Sequence, residues 1–364
     1  MKLQEIIDHL NLLFLPFYQE EWDNCGLLVG DAQQEATGAL VTLDVTPEVV
    51  QEAIDKGYNL IVSHHPLIYG GVKKMTSSSL LGRMLLLLAQ HNICVYAAHT
   101  NLDNLCWGVS GELAQRLGVL KGSVLDPMVG KLRKLVTYCP TAQAEAVREA
   151  LFQAGAGSIG AYDQCSYNQQ GTGTYRAIEG AHPFVGKIGE LHHETETRIE
   201  VIYELRIEHR VVEILLQAHP YEEPAYDLIP LANPHAREGG GMIGDLPCPM
   251  DTKAFLQRVK EVLQLPVIRS SALCKAQVQH IALCGGSGAF LIDKAKNLGA
   301  DIYLTSDLKY HDFQQTEGNI ILCDIGHYES EQFAKQIISH VILKKFRNFA
   351  CEISQRGRGF VYYI

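Results

Sequence analysis

The sequence predicts an α/β protein in which a duplicated α/β layered domain, residues 1–127 and 233–364, is split by a ferredoxin-like α+β insert over 128–232. Three observations lead there. The first and last thirds both alternate apolar strand-like runs with helix-like runs, the grammar of a mainly parallel layered sandwich. Two distant segments, ICVYAAHTNLD at 93–103 and IILCDIGHYESE at 320–331, each join a strand-like run to a histidine and, four residues on, a carboxylate. Between 128 and 232 the order changes to strand, helix, two strands, helix, strand.

The elements follow in order. Leu3, Ile6, Ile7, Leu10 and Leu13 recur at helical spacing, and early acidic residues with no small-residue cleavage site favour a first helix over a signal peptide. GALVTLDVT, NLIVSHHP and ICVYAAHT read as strands, separated by helices in TPEVVQEAIDKG and SSSLLGRMLLLLAQHN and followed by one in SGELAQRLG. The run MLLLLA is too short to span a bilayer. In the insert, KLRKLVTYCP is a strand, TAQAEAVREALFQAGA a helix, and strands are expected around 173–178 and 197–204. A further helix and strand end in AHPYEEPAYDLIPL, and the glycine run from Arg237 to Gly244 reads as the return linker. The last third repeats the first: QHIALCGGSG, AFLIDKAKNLGA, DIYLTSDLKYHD and NIILCDIGH, then a helix through SEQFAKQIISHVILKKF. This recurrence reads as duplication of one unit.

Composition narrows the classes. With 364 residues, 47% apolar and 20% charged, the chain fits a globular protein of two or three domains. A formal charge of −10 argues against a nucleic-acid or anionic-membrane surface. The ten cysteines include no Cys-x-x-Cys pair and are too sparse for a disulfide scaffold, which points to reduced thiols of a cytoplasmic protein.

The chemistry sits at strand exits, where open α/β sheets bind ligands. His64 and His65 close one strand-like run; His99 with Asp103, and His327 with Glu331, follow two others. Residues four apart share a helix face, so each His–carboxylate pair could reach one ion. Neighbouring residues on a regular strand point to opposite faces, so His64 and His65 either serve two ions or the strand breaks before Pro66. A set of His64, His65, Asp103, His327 and Glu331 suits a dinuclear centre with ions roughly 3.5–4 Å apart. Nitrogen and oxygen donors without thiolate favour Zn, Mn, Fe or Co.

The segments Glu21-Trp-Asp-Asn-Cys-Gly-Leu27, Ser63-His-His-Pro66, His99-Thr-Asn-Leu-Asp103, Thr305-Ser-Asp307 and Gly326-His-x-x-x-Glu331 resemble those of the GTP cyclohydrolase I type 2-like family, also called the NGG-interacting factor three family. The insert, with Gly-Ala-Gly-Ser-Ile-Gly160 and His219-Pro-Tyr-Glu-Glu-Pro224, resembles that of its longer bacterial branch. The resemblance implies two divalent ions, zinc first among Zn, Mn, Fe and Co. His65 and Asp103 would hold one ion, His64 and His327 the other, with Glu331 bridging and His99 alongside as an outer group or additional ligand. It also implies a PII-like insert and a toroidal homohexamer whose metal sites face an internal cavity. Ser306 departs from the family, which commonly has glycine there.

Other features read as structural. CGGSGA, Cys284 to Ala289, lacks the Walker lysine and the full dinucleotide fingerprint, so a tight turn is preferred to a phosphate cradle. Asp307 and His311 are expected to border the site, His192-His193 to lie in a solvated loop, and His219 to serve a turn or interface. Two functions stay open. One is a metal-dependent hydrolase opening the purine ring of a nucleotide such as GTP, or cleaving a phosphoester. The other is a non-catalytic hexameric metal-binding or regulatory protein whose insert senses a small ligand. Neither involves a membrane or nucleic acid.

Overall fold

The structure is a computed structural model describing residues 1–362 and 364. It divides into two units, Met1–Pro127 with Arg237–Ile364, and Met128–Ala236.

The first segment contains α1 (Leu3–Leu13), β1 (Gly26–Val29), β2 (Ala39–Thr42), α2 (Pro47–Lys56), β3 (Leu60–Ser63), α3 (Leu80–Gln90), β4 (Cys94–Ala97), α4 (Thr100–Asp103), α5 (Val109–Leu117) and β5 (Leu120–Pro127). Local signals set the helix ends. Thr46 accepts a hydrogen bond from the Val49 N–H, Pro47 occupies the first turn of α2, and Gly57 ends it at φ 69°. Ser79 caps α3 by accepting from Gly82 N–H at 3.0 Å. The middle segment holds β6 (Leu132–Pro140), α6 (Ala144–Gln153), β7 (Tyr167–Arg176), β8 (Leu191–Glu204), α7 (Glu208–Ala218) and β9 (Tyr226–Pro230). The last holds β10 (Gly239–Asp251), α8 (Thr252–Leu263), β11 (Arg269–Ser270), β12 (Gln277–Ser287), α9 (Ile292–Asn297), β13 (Ile302–Ser306), α10 (Tyr310–Gln314), β14 (Ile321–Asp324), α11 (His327–Glu331), α12 (Ala334–Lys345) and β15 (Cys351–Ile353).

The larger unit contains two sheets. One has the order β1-β4-β3-β2-β15, with β4, β3, β2 and β15 parallel and β1 antiparallel at the edge. The other has the order β11-β14-β13-β12-β10-β5, in which β12, β13 and β14 are parallel. Parallel strands covered on both faces need unbroken apolar runs. In β13, Ile302 and Leu304 enter one buried cluster with Phe255 and Val259 of α8, while Tyr303 enters another with Ile292 and Ala295 of α9. In the first sheet Leu40, Ile61 and Val95 pack with Val49, Val50 and Ala53 of α2 and Leu88 of α3.

The smaller unit has one antiparallel sheet, β7-β8-β6-β9. Leu135, Cys139, Ile199 and Val201 face Val147 and Leu151 of α6 and Val211 and Leu215 of α7.

Two expectations are corrected. The glycine run is no linker: β10 starts at Gly239 and pairs with both β5 and β12. The glycines permit close backbone approach, since a Cβ at Gly244 would lie 2.7 Å from the Leu120 carbonyl oxygen. Likewise His192-His193 is not in a loop but near the start of β8, where Tyr175 and Thr174 of β7 pair with them. That hairpin is polar on exposed positions, so apolar alternation does not mark its start. Among the described residues no helix is long and apolar enough to cross a membrane.

Candidate metal centre

The exits of parallel strands from both sheets of the larger unit converge on one cluster. β3 ends at Ser63, and the backbone N–H groups of His64 and His65 continue to the Thr42 and Leu43 carbonyls at the exit of β2. The Ser63 hydroxyl donates to the His65 carbonyl at 2.8 Å, so the chain has left strand geometry before Pro66. Both rings therefore enter the same space, with centroids 5.0 Å apart. His99 stands where β4 gives way to α4, and His327 begins α11 just after β14.

Each imidazole is anchored through Nδ1. His64 Nδ1–H donates to the buried Ala98 carbonyl at 2.7 Å, His65 to Asp44 at 2.8 Å, His99 to Asp23 at 2.8 Å and His327 to Asp307 at 2.7 Å. A donated Nδ1–H leaves Nε2 as the ligating nitrogen and fixes the ring plane, the arrangement of carboxylate–histidine–metal sites.

Glu331 lies at the middle. Its Oε2 is 2.9 Å from Nε2 of both His65 and His327, and its Oε1 is 3.8 Å from His64 Nε2. Asp103 Oδ1 lies 3.5 Å from His64 Nε2. Ligand atoms group as His65, His327 and Glu331; as His64, Asp103 and Glu331; and as His64, His65 and His99, each set within 4.8 Å. The first two groupings exchange His64 and His65 relative to the pairing that the family resemblance implies. His99 and Asp103, though four apart, fall in different sets.

Electrostatics fits a cation site. Burial opposes a charge on His65 and His327, yet the carboxylates of Asp44 and Glu331, and of Asp307 and Glu331, lift them to about 9 and about 11. Burial pushes Asp103 up to about 7. Burial works the same way on Glu331, but His327, His64 and His65 hold its carboxyl well below the ordinary range. His64 Nε2 and Asp103 Oδ1 are both fully enclosed without a hydrogen-bond partner. Such atoms cost about 1–3 kcal/mol each when left unsatisfied, and both are ligating types, so the residues present fit a divalent metal.

Backbone geometry reserves the space. Gly286 adopts φ 64°, and a Cβ there would run into Glu331 Oε1. Its N–H donates to the Ser330 hydroxyl at 3.0 Å, and that hydroxyl donates to the His327 carbonyl at 2.9 Å, locking β12 to α11. Asp307 holds its His327 bond from φ 57°, a conformation that aspartate tolerates better than most residues.

The sequence-derived residues His64, His65, Asp103, His327 and Glu331 thus lie together, with His99 beside them. Asp307 joins the cluster through His327, whereas His311 is exposed against Tyr310. His219 uses both nitrogens in a turn, donating to Tyr138 O and accepting from Tyr221 N–H. CGGSGA continues β12 through Ser287 rather than forming a phosphate loop, and its Gly286 makes room for Glu331. Ser306 keeps strand geometry as the last residue of β13. Sequence reasoning gave Asp44 no role, and it quoted the motifs holding Asp23 and Gly286 without assigning either residue to this site. Asp44 had one available signal, its place at the exit of a strand-like run.

A mixed α/β fold with several sheets and a histidine–carboxylate cluster at facing strand exits defines the class of protein. The Duf34/NIF3 (NGG1p interacting factor 3) family model matches residues 1–356, and the chain belongs to that family. A Bacillus subtilis relative named GTP cyclohydrolase 1 type 2 homolog is 37% identical over 337 residues, 92% of this chain and 90% of that protein. The crystal structure of a Bacillus cereus protein related to NIF3 aligns with TM-score 0.83 and 34% identity, covering 100% of this chain and 99% of the other. Reduced HcgD from Methanocaldococcus jannaschii shares the fold at TM-score 0.59 and 18% identity, covering 98% of both chains.

Proposed function

We propose that this protein binds two divalent metal ions and acts as a metal-dependent hydrolase on a nucleotide, by purine-ring opening of the GTP cyclohydrolase 1 type 2 kind. The observation that carries the reading is the set of four imidazoles anchored through Nδ1 around Glu331, with His64 Nε2 and Asp103 Oδ1 enclosed beside it. On this reading His65, His327 and Glu331 hold one ion and His64, Asp103 and Glu331 the other, with His99 as an outer group. Zinc is the first candidate, with Mn, Fe or Co as alternatives for the same donors. Bound there, such ions supply Lewis acidity and a water of lowered pKa.

The protein's own contribution is orientation. Asp44, Asp307 and Asp23 fix the ring planes, and burial of Glu331 and His64 limits solvent access. Trp22 and Tyr69 are 64% and 56% exposed and stand 5.9 and 6.1 Å from the His99 ring, offering faces on which a planar base can stack. The name carried by the relatives supports the nucleotide class. The test is to load the protein with each metal and assay GTP, other nucleotides and phosphoesters. Metal-dependent product that disappears in Glu331→Gln supports the reading; stoichiometric metal with no turnover removes it.

The second reading, a non-catalytic metal-binding or regulatory protein with a ligand-sensing insert, is favoured by a cavity in the Met128–Ala236 unit. We also propose that 128–232 is a ferredoxin-like, PII-like module; its strand order β9-β6-β8-β7 with a helix after the first and third strands supports this. The parallel triplets β2-β3-β4 and β12-β13-β14 support duplication of the flanking core. Family resemblance supports a toroidal homohexamer, readable by light scattering. Ten free cysteines support a reducing, cytoplasmic location.

A further inference from the structure

Strand β7 carries Gly171 and Gly173 two residues apart, hence on one face of its sheet. A Cβ at 171 would meet nothing within 4 Å, and one at 173 would run into the Glu196 carboxylate. These missing side chains open a cavity of about 590 Å³. It lies on the sheet face away from α6 and α7, because Tyr138 and Arg198 line it while their neighbours Cys139 and Ile199 join the helix-facing core.

The lining has a definite chemistry. Glu196 is 8% exposed, and its Oε1 accepts from the Tyr221 hydroxyl at 2.8 Å. Among the described residues no basic side chain pairs with Glu196. Arg198 does not neutralise it, since both Nε and Nη2 of the guanidinium go to Glu200 Oε1 at 2.9 Å. Glu222 and Glu223 add two more carboxylates to the wall. Buried carboxylates are ordinarily paired with a cation. Around this one stand the rings of Tyr138, Tyr175 and Tyr221, the last two with centroids 5.8 Å apart.

We propose that this cavity binds a small organic cation, an amidinium or ammonium on a flat body. The charged end sits on Glu196 and the body lies against the Tyr175 and Tyr221 rings, where ring faces attract cations; the Tyr138 ring already has the Arg198 guanidinium 5.7 Å from its centroid. The site is separate from the metal centre and stands whether or not the protein is an enzyme.

Benzamidine is the probe, with benzamide as its neutral isostere and benzoate as its anion, titrated into the full-length protein by calorimetry. Saturable benzamidine binding is expected, with benzamide at least about tenfold weaker and benzoate without detectable binding. Gly171→Leu, which fills open space, should abolish the signal, and Glu196→Gln should weaken it by about tenfold or more. Equal binding of benzamidine and benzamide to the unmodified protein, which needs no variant, would overturn the proposal. So would absence of benzamidine binding at millimolar concentration, or full binding retained in Gly171→Leu. A smaller assembly in Gly171→Leu by light scattering would assign this face to a second copy of the chain and also overturn it.

Discussion

His65 Nε2 and Glu331 Oε2 meet at 2.9 Å although 266 positions separate them. Each is delivered by a different sheet of the same unit, His65 by β3 and Glu331 by the helix after β14. The cluster therefore exists only when both segments of that unit are packed.

Glu331 belongs to both proposed ligand sets, so one substitution should empty both. Glu331→Gln is expected to lose most bound metal on dialysis, and His65→Ala to lose a smaller share. Elemental analysis reads this directly; unchanged metal content in Glu331→Gln would refute the ligand assignment.

Asp44 and Asp307 touch only the far nitrogens of His65 and His327. Asp44→Asn and Asp307→Asn should weaken metal affinity about 10–100-fold while leaving the fold intact. Competition against a chromophoric chelator, with circular dichroism as the control, measures both. Parent-like affinity would reduce these carboxylates to a structural role.

Gly286 and Gly57 both need positive φ, 64° and 69°, but only Gly286 faces an obstacle, the Glu331 carboxylate. Alanine at either position should cost about 1–2 kcal/mol for the left-handed backbone. Gly286→Ala should lose metal as well, whereas Gly57→Ala should not. Thermal melts with metal analysis separate the two effects, and equal behaviour of the variants would remove the steric argument.

Asp301 ties the start of β13 to its neighbours, accepting from Lys275 Nζ at 2.7 Å and from the N–H groups of Gln279 and His280 at 2.7 and 2.8 Å. Burial opposes its charge, but these donors outweigh it and hold the carboxyl below its ordinary 3.8. A depressed folded value means stability present above that ordinary value and lost as pH falls through the folded one. Asp301→Asn should cost about 1–3 kcal/mol at neutral pH, and the gap should close in acid. Denaturant melts at neutral pH and below the ordinary carboxylate range check it; a constant gap would assign the loss to geometry rather than charge.

Pro127 of β5 and Gly239 of β10 are paired neighbours, so the chain leaves and re-enters the larger unit at one place. Replacing 128–236 by a short glycine-rich turn should leave a folded core that still binds metal. An insoluble product, or one without cooperative melting, would show that the core depends on the excised segment.

Much of this molecule is legible in order along the chain. The runs giving β2, β3, β4, β13 and β14 are short and apolar, as is the Ile281–Cys284 stretch of the longer β12, because central parallel strands must be apolar on both faces. Strands escape notice where that requirement lapses. β10 is rich in glycine because backbones approach closely there, and the start of β8 is polar because its face is open. Edge strands β11 and β15 are too short to carry a pattern.

The candidate ligand types were readable for a related reason: histidine and carboxylate at a strand exit are chemically conspicuous wherever they occur. Their partners were not. Asp44 offers only its place at a strand exit, and Asp23 and Gly286, although inside motifs that the sequence singles out, carry nothing local that assigns them to these histidines and to Glu331. Only proximity in space gives them meaning.

From its residues alone, then, this protein declares which segments are strands and helices and which side chains could hold a cation, since periodicity and donor chemistry are local properties. Which histidine shares which carboxylate was decided by tertiary structure. The Nδ1 anchors and the break after Ser63 turn His64 and His65 toward opposite sides of Glu331, and distances between residues hundreds of positions apart depend on how two sheets pack.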